Sequence, residues 1–417
     1  MTSRSVPRIA ILHYAAPPVV GGVESTIDHH ARELAAAGYA VDVIAGRGET
    51  FHPAVRFHHI PELDSRHPEV LEAGAALAAG SAGPGFEILR DRLADRLGEL
   101  LAGVPVCIVH NALSLHKNLP LTAALRLLSD AGDVRLIAWC HDFAWLDELY
   151  TPDLHPGYPW DLLRTPWPGV RYVAVSAHRH RRLAELFGLP EDEVTVVTPG
   201  VDAFEFLALP SPVRALAERL DLLAADPLIL LPARITRRKN IELAVRVTAA
   251  LLDRTPRPVL LVTGPPGPHN PANAAYLDSL RDLRRDMGVE GQVHFVYEQG
   301  EPGRPLHLPD EAIAGLYRLA DLMLFPSLRE GFGIPVLEAG LARLPVFAAD
   351  IPPVRESAGE FATLFDPRSK PTAIASEIAD FLARDRRHAL RKRVLRRFTW
   401  RRIVQYEMIP LIESVTP

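Results

Sequence analysis

The chain has 417 residues and a formal net charge of −5, with 46 Lys plus Arg against 51 Asp plus Glu. At about 100–200 residues per domain, that length implies two or three domains. Hydrophobic residues at 48% and charged residues at 23% are globular proportions, which exclude a disordered chain or a fibre, and the acidic balance argues against a protein built to coat nucleic acid. Arg8–Tyr14 is an apolar run, followed by a loop, a helical stretch Glu24–Ala37 and a second apolar run Tyr39–Ala45, which together predict a βαβ unit. The pattern recurs at Val104–His110, Val134–His141 and Tyr172–Ser176, with amphipathic stretches Phe86–Leu101 and Leu119–Ser129 between runs. Buried runs restart at Pro227–Leu231, Val259–Gly264, Val293–Val296, Leu322–Phe325 and Pro345–Ala348. The fold expected is α/β, two doubly wound Rossmann-like domains over 1–200 and 201–395 that face a central cleft, with a hinge near Pro199–Phe206.

The two cysteines, Cys107 and Cys140, lie in apolar surroundings and make neither a disulfide framework nor a zinc site, which fits a reducing cytoplasm. The apolar stretch before Pro17 and Pro18 is too short for a secretion signal, and nowhere do about 20 apolar residues run uninterrupted. Membrane contact is therefore expected to be peripheral at most.

Open parallel sheets bind ligands outside the carboxyl ends of their strands, so the loops after the runs carry the chemistry. The segment EGFGIPVLEAG, Glu330–Gly340, follows the buried run LMLF. Gly331, Gly333 and Gly340 are permissive positions, Phe332 and Ile334 lie between them, and Pro335 suits the start of a helix predicted over Pro335–Ala342. A helix N-terminus favours phosphate, while Glu330 and Glu338 can accept hydrogen bonds from hydroxyls. Arg234 and Lys239 follow PLILL, and two positive charges at a strand end suit a diphosphate whose charge grows as it leaves. Arg237 and Arg238 read as part of an ordinary basic turn before a helix over Asn240–Leu252.

Together these residues resemble the donor half of the retaining glycosyltransferases of family 4, whose GT-B fold pairs two Rossmann-like domains. The family's E-x7-E element corresponds to Glu330 and Glu338, its Arg-x4-Lys pair to Arg234 and Lys239, and its nucleotide-side glycine to Gly264. Gly21 and Gly22 resemble the N-terminal GG loop, His141 and Asp142 the His-Asp at a strand end, and TPGVD the interdomain segment, with Pro199 where the family usually has Asn. The resemblance implies a hexosyltransferase that takes a sugar from a nucleotide-diphosphate sugar of GDP-mannose or UDP-glucose type and gives it to an acceptor hydroxyl with retention. Arg234 and Lys239 would meet the diphosphate, Glu330 the donor sugar, Glu338 the ribose and His141 the sugar near the reacting carbon. It also implies that the helical tail, 396–417, crosses back onto the first domain.

Two other readings stay open on sequence: a non-catalytic subunit of the same fold that binds carbohydrate or a partner, and a sugar-nucleotide epimerase or hydrolase. His141, read from the residues alone, emerges from a strand end beside Trp139 and Phe143, where it is either a hydrogen-bond partner for sugar or a structural histidine. A glycine pair such as Gly21–Gly22 is also an ordinary turn. Basic clusters at His178–Arg182 and Arg391–Arg402 read as solvated faces, with an anionic lipid or phosphorylated acceptor as the rival. No metal-binding spacing such as HExxH occurs, so neither a metal nor a further cofactor is expected.

Overall fold

A computed structural model describes residues 6–132, 134–267, 272–301 and 304–416. The chain divides into two compact units, Met1–Val201 with Phe398–Pro417, and Asp202–Arg397.

The first unit carries a seven-stranded sheet: β1 (Arg8–Ala15), β2 (Ala40–Arg47), β3 (Val55–His59), β4 (Val106–His110), β5 (Arg135–Cys140), β6 (Arg171–Ala174) and β7 (Val194–Val196), in the order β3-β2-β1-β4-β5-β6-β7. Every pairing is parallel. Successive side chains of a strand point to opposite faces, and here both faces are covered, so the strands are apolar throughout rather than alternating. Ala10 and Leu12 join one cluster with Leu89, Leu93 and Leu97 of the helix Pro84–Leu101. Ile9 and Ile11 join the other, with Ile27, Ala31 and Leu34 of the helix Gly22–Ala36 and with Ile403, Val404, Met408, Leu411 and Ile412 of the tail.

The second unit repeats the plan with β8 (Leu228–Leu231), β9 (Val259–Val262), β10 (Val293–Phe295), β11 (Leu322–Phe325), β12 (Val346–Ala349) and β13 (Thr363–Phe365), in the order β10-β9-β8-β11-β12-β13. In each sheet the order reverses beside the first strand, between β1 and β4 and between β8 and β11. Loops leaving that reversal in opposite directions open a crevice where such folds take ligands.

The three strands that the sequence pattern does not reveal, β3, β7 and β13, all lie at sheet edges. One face or end of each meets solvent, so only Val55, Val194 and Phe365 are buried in them, and no apolar run marks them.

The second basic cluster departs from a solvated face. In the helix Arg386–Arg397, Lys392 is buried and its Nζ donates to the Ala225 carbonyl at 2.7 Å and pairs with Asp321 at 2.5 Å. His388 Nε2 lies 2.9 Å from Asp226 Oδ1, Arg396 pairs with Asp226, and Arg391 Nη2 donates to the Leu319 carbonyl at 2.6 Å. Burial alone would raise the Asp321 carboxyl, but His388, Lys392 and the Leu228 N–H together hold it below the usual range. Four of the basic side chains thus fasten the helix to the start of β8 and β11. In the first cluster, Arg179 pairs with Asp142 at 3.1 Å and His180 bonds the Glu191 carbonyl at 2.7 Å.

Candidate functional site

The reversal point of the second sheet brings the two motifs together. After β8 the chain makes one tight turn, Arg237–Lys239, and after β11 it passes through Pro326 and Ser327 to Glu330. Leu328 N donates to the Arg238 carbonyl at 2.8 Å, so the two loops are tied through backbone. Lys239 Nζ then lies 2.5 Å from Glu330 Oε1, with side-chain exposures of 9% and 7%, which makes this a desolvated ion pair rather than a surface one. Lys239 also sits 5.0 Å from the centre of the Phe325 ring. Burial pulls the Lys239 ammonium below the usual lysine range, and the hydrogen bond to Glu330 opposes it.

Arg238 is not part of an ordinary basic turn. Its guanidinium donates to the Arg329 carbonyl at 3.2 Å and reaches Glu330 Oε2 at 3.4 Å, so Glu330 is gripped from two sides. Arg237 instead lies over the Tyr276 ring, 5.1 Å from its centre. Arg234 is exposed and makes no side-chain hydrogen bond or ion pair among the described residues. Gly264 explains where Arg234 sits: a Cβ there would come within 2.5 Å of the Ala233 carbonyl oxygen and 2.7 Å of Arg234 Cα. Only glycine lets the loops after β8 and β9 approach so closely.

The Gly-rich loop ends at Gly333, whose φ of +95° favours glycine, and which caps the helix Ile334–Leu341 with Pro335 in its first turn. The helix starts one residue earlier than the sequence predicts, because Gly333 rather than Ile334 makes the turn. Gly331, Phe332 and Ile334 are exposed around that N-terminus, and Gly340 is exposed on the helix itself. Glu338 is exposed and accepts from the Tyr317 hydroxyl at 2.6 Å. Two hydroxyls on these loops, Thr236 Oγ1 and Ser327 Oγ, are buried without a hydrogen-bond partner. Sequence reasoning missed Arg238, Tyr317, Thr236 and Ser327. Only the strand-end positions of Thr236 and Ser327 pointed to them.

The reversal point of the first sheet holds a different chemistry. His13 in β1, His141 just past β5 and His30 in the helix Gly22–Ala36 gather around His110 at the end of β4, with Trp139 against His30 and His110. His110 Nδ1 lies 3.1 Å from His141 Nε2, and the two rings are 5.4 Å apart at 30°. Asn111, in a left-handed conformation at φ 57°, accepts from the backbone N–H of His141 at 2.8 Å and of Asp142 at 3.3 Å. Burial pulls His13 and His141 down to about 4 and His30 down to about 3, and pulls His110 well below the usual range, so all four rings are neutral at physiological pH. His13, His30, His110 and Asn111 were not legible as a group, because the sequence spreads them over helix and strands.

Gly21 caps the helix Gly22–Ala36 in an extended conformation, and Gly22 opens it. The Glu24 carboxylate folds back over Gly21, occupying the space in which a Cβ would stand. That contact is with the far end of a flexible side chain, and a Cβ at Gly22 would meet nothing within 4 Å, so packing alone demands a glycine at neither position.

Two family models match this chain: "Glycosyltransferase Family 4" over residues 20–203 and "Glycosyl transferases group 1" over residues 215–397. The D-inositol 3-phosphate glycosyltransferase of Kineococcus radiotolerans is 28% identical over a 435-residue alignment covering 95% of this chain and 93% of that protein. The enzyme of the same name from Nocardia farcinica is 32% identical over 219 residues, 52% of this chain and 45% of that protein, so this match spans about half of the relative's length. A glycosyltransferase structure from Rickettsia africae is similar at 16% identity and a TM-score of 0.38 over 99% of both chains.

Proposed function

The chain is a glycosyltransferase of the group 1 and family 4 type, and from that premise we propose that it transfers a hexosyl unit from a nucleotide-diphosphate sugar to an acceptor hydroxyl with retention of configuration. The observation that carries this reading is the desolvated Lys239–Glu330 pair at the sheet reversal beside the free Arg234 and the helix N-terminus at Gly333. Arg234 and Lys239 meet the diphosphate, whose negative charge grows as the sugar departs, so they stabilise the transition state more than the ground state. Glu330, acceptor-only when ionised, takes hydrogen bonds from hydroxyls of the hexose, and Glu338 takes one from the ribose. Gly264, Gly331, Phe332, Gly333 and Ile334 supply backbone and shape around the nucleotide. Gly21 and Gly22 contact the donor in this reading only if Glu24 moves aside.

The bond between the anomeric carbon and the phosphate oxygen breaks while a bond to the acceptor oxygen forms on the same face, and the departing phosphate takes the acceptor proton. No protein carboxylate acts as nucleophile in this scheme, which fits Glu330 being held by Lys239 and Arg238. His141, neutral, gives a hydrogen bond to the sugar rather than a proton. Charge on the leaving group is met by side chains, and no metal is assigned to that task. The relatives' name makes D-inositol 3-phosphate the first acceptor to assay. No helix among the described residues is long and apolar enough to cross a membrane, and the buried free thiols of Cys107 and Cys140 support a cytoplasmic setting.

The test is product analysis with UDP- and GDP-hexoses, with and without D-inositol 3-phosphate, and with chelator present throughout. An acceptor-dependent glycoside that keeps the donor's anomeric configuration is expected. Donor consumption without acceptor would favour hydrolysis or epimerisation instead, and loss of turnover in chelator would reinstate a metal.

A further inference from the structure

His110 and His141 touch through ring nitrogens, so one of them donates and the other accepts. The environment decides which. If His141 donated from Nε2, His110 Nδ1 would be the acceptor and the His110 proton would sit on Nε2. That atom is buried with no partner, and an orphaned buried N–H is rarer and costlier than an orphaned acceptor. With the proton on His110 Nδ1, the buried Nε2 is a bare lone pair, and His141 Nε2 accepts. The His141 proton then stands on Nδ1, which has no partner among the described residues.

We propose that His110 is the positioning residue of His141: it donates from Nδ1 to His141 Nε2, fixes the Nδ1–H tautomer and aims that N–H at the transferred sugar. The inference rests on the assignment of His141 to the sugar. Every group facing the pair is consistent with two neutral rings. His13 from β1 donates its own Nδ1–H to the His110 carbonyl at 2.9 Å, a direction fixed because a carbonyl only accepts. His30 from the helix Gly22–Ala36 lies 5.5 Å from the His110 ring, and Trp139 from β5 lies 5.7 Å from it. Asn111 holds the His141 backbone, and the nearest carboxylate in sequence, Asp142, is engaged by Arg179. Among the described residues, no carboxylate or cation pairs with any of the four rings. Nothing stabilises an imidazolium, so His141 works as a fixed donor.

The test begins with nitrogen-15 spectra of the histidine-labelled full chain, which need no variant. A protonated Nδ1 and bare Nε2 on His141 is expected, and the reverse tautomer overturns the proposal. His110→Phe keeps the ring and removes the donor, so kcat should fall about 10–100-fold, the scale for losing an outer partner of a site group, with donor KM little changed. His110→Asn, whose amide N–H can stand near the lost Nδ1–H, should recover most of that loss. Wild-type kcat in His110→Phe overturns the proposal, as does a folded His110→Asn no better than His110→Phe. Should His141→Ala transfer sugar at the wild-type rate, the assignment of His141 falls, while the spectrum still judges the tautomer independently.

Discussion

At the residue scale, Glu330 is the carboxylate that lets the nearly enclosed Lys239 stay charged, while Glu330 itself has the longer contact to Arg238 as well. Removing Glu330 strands the Lys239 ammonium, and removing Lys239 leaves Glu330 only the longer contact to the exposed Arg238 guanidinium, so either change costs up to about 3–5 kcal/mol. Lys239→Ala should therefore lower turnover by about 10²–10³-fold through the lost diphosphate contact and also lower the Tm. Adding Glu330→Gln should restore much of the stability and none of the turnover. Thermal unfolding and steady-state rates on both variants check this; an unchanged Tm in Lys239→Ala would mean that Arg238 and water suffice for Glu330. Glu330, Lys239, Arg234 and Gly333 were legible because each lies at a fixed short spacing from a buried strand. Arg238 and Tyr317 were not, because their meaning comes from partners 92 and 21 residues away.

At the scale of elements, the inner strands could be read from the sequence because both faces are buried, and the edge strands β3, β7 and β13 could not because they lack that pressure. The same holds for the helix Arg386–Arg397, whose charges look solvated until Asp226 and Asp321 are seen beneath them. Burial alone would lower His388, but Asp226 and Asp321 raise it, to about 9 against an ordinary 6.5. A histidine raised in the folded state contributes stability that is fully present below pH 6.5 and is lost as the pH climbs through about 9. Denaturation midpoints should accordingly drop between those values in the wild type, and His388→Gln should flatten that drop. An equal decline in both would assign the effect to other groups.

Close approach between elements makes a second prediction. Gly264→Ala would drive a methyl into the Ala233 carbonyl and push the loops after β8 and β9 apart, at a cost of about 1–3 kcal/mol. Since Arg234 rides on that contact and Gly264 itself lies at the nucleotide, nucleotide affinity measured by calorimetry should weaken. Unaltered affinity would overturn the placing of both Gly264 and Arg234 at the nucleotide.

At the scale of the whole molecule, the chain leaves the first unit and returns to it at one spot. Val201 N donates to the Phe398 carbonyl at 2.8 Å, and Trp400 N donates to the Val201 carbonyl at 3.2 Å. The tail that follows buries Ile403, Val404, Met408, Leu411 and Ile412 in the first unit's core, each worth about 1.5–3 kcal/mol. Their sum rivals the whole net stability of a domain, about 5–15 kcal/mol. A chain ending at Arg397 should lose the first unit's cooperative unfolding transition and keep nucleotide binding by the second. Calorimetry and ligand titration on the shortened chain check both halves of that statement.

The same threading dictates an order of events on the ribosome. Asp202–Arg397 emerges in full before the strip that completes the first unit, a delay on the order of 10–40 s at synthesis rates of about 5–20 residues per second. Throughout that interval every strand of the first unit has been made, but the face that carries Ile9, Ile11, Ile108 and Trp139 still lacks its last cover. Of the two units, the one whose synthesis starts earlier is thus the one completed later.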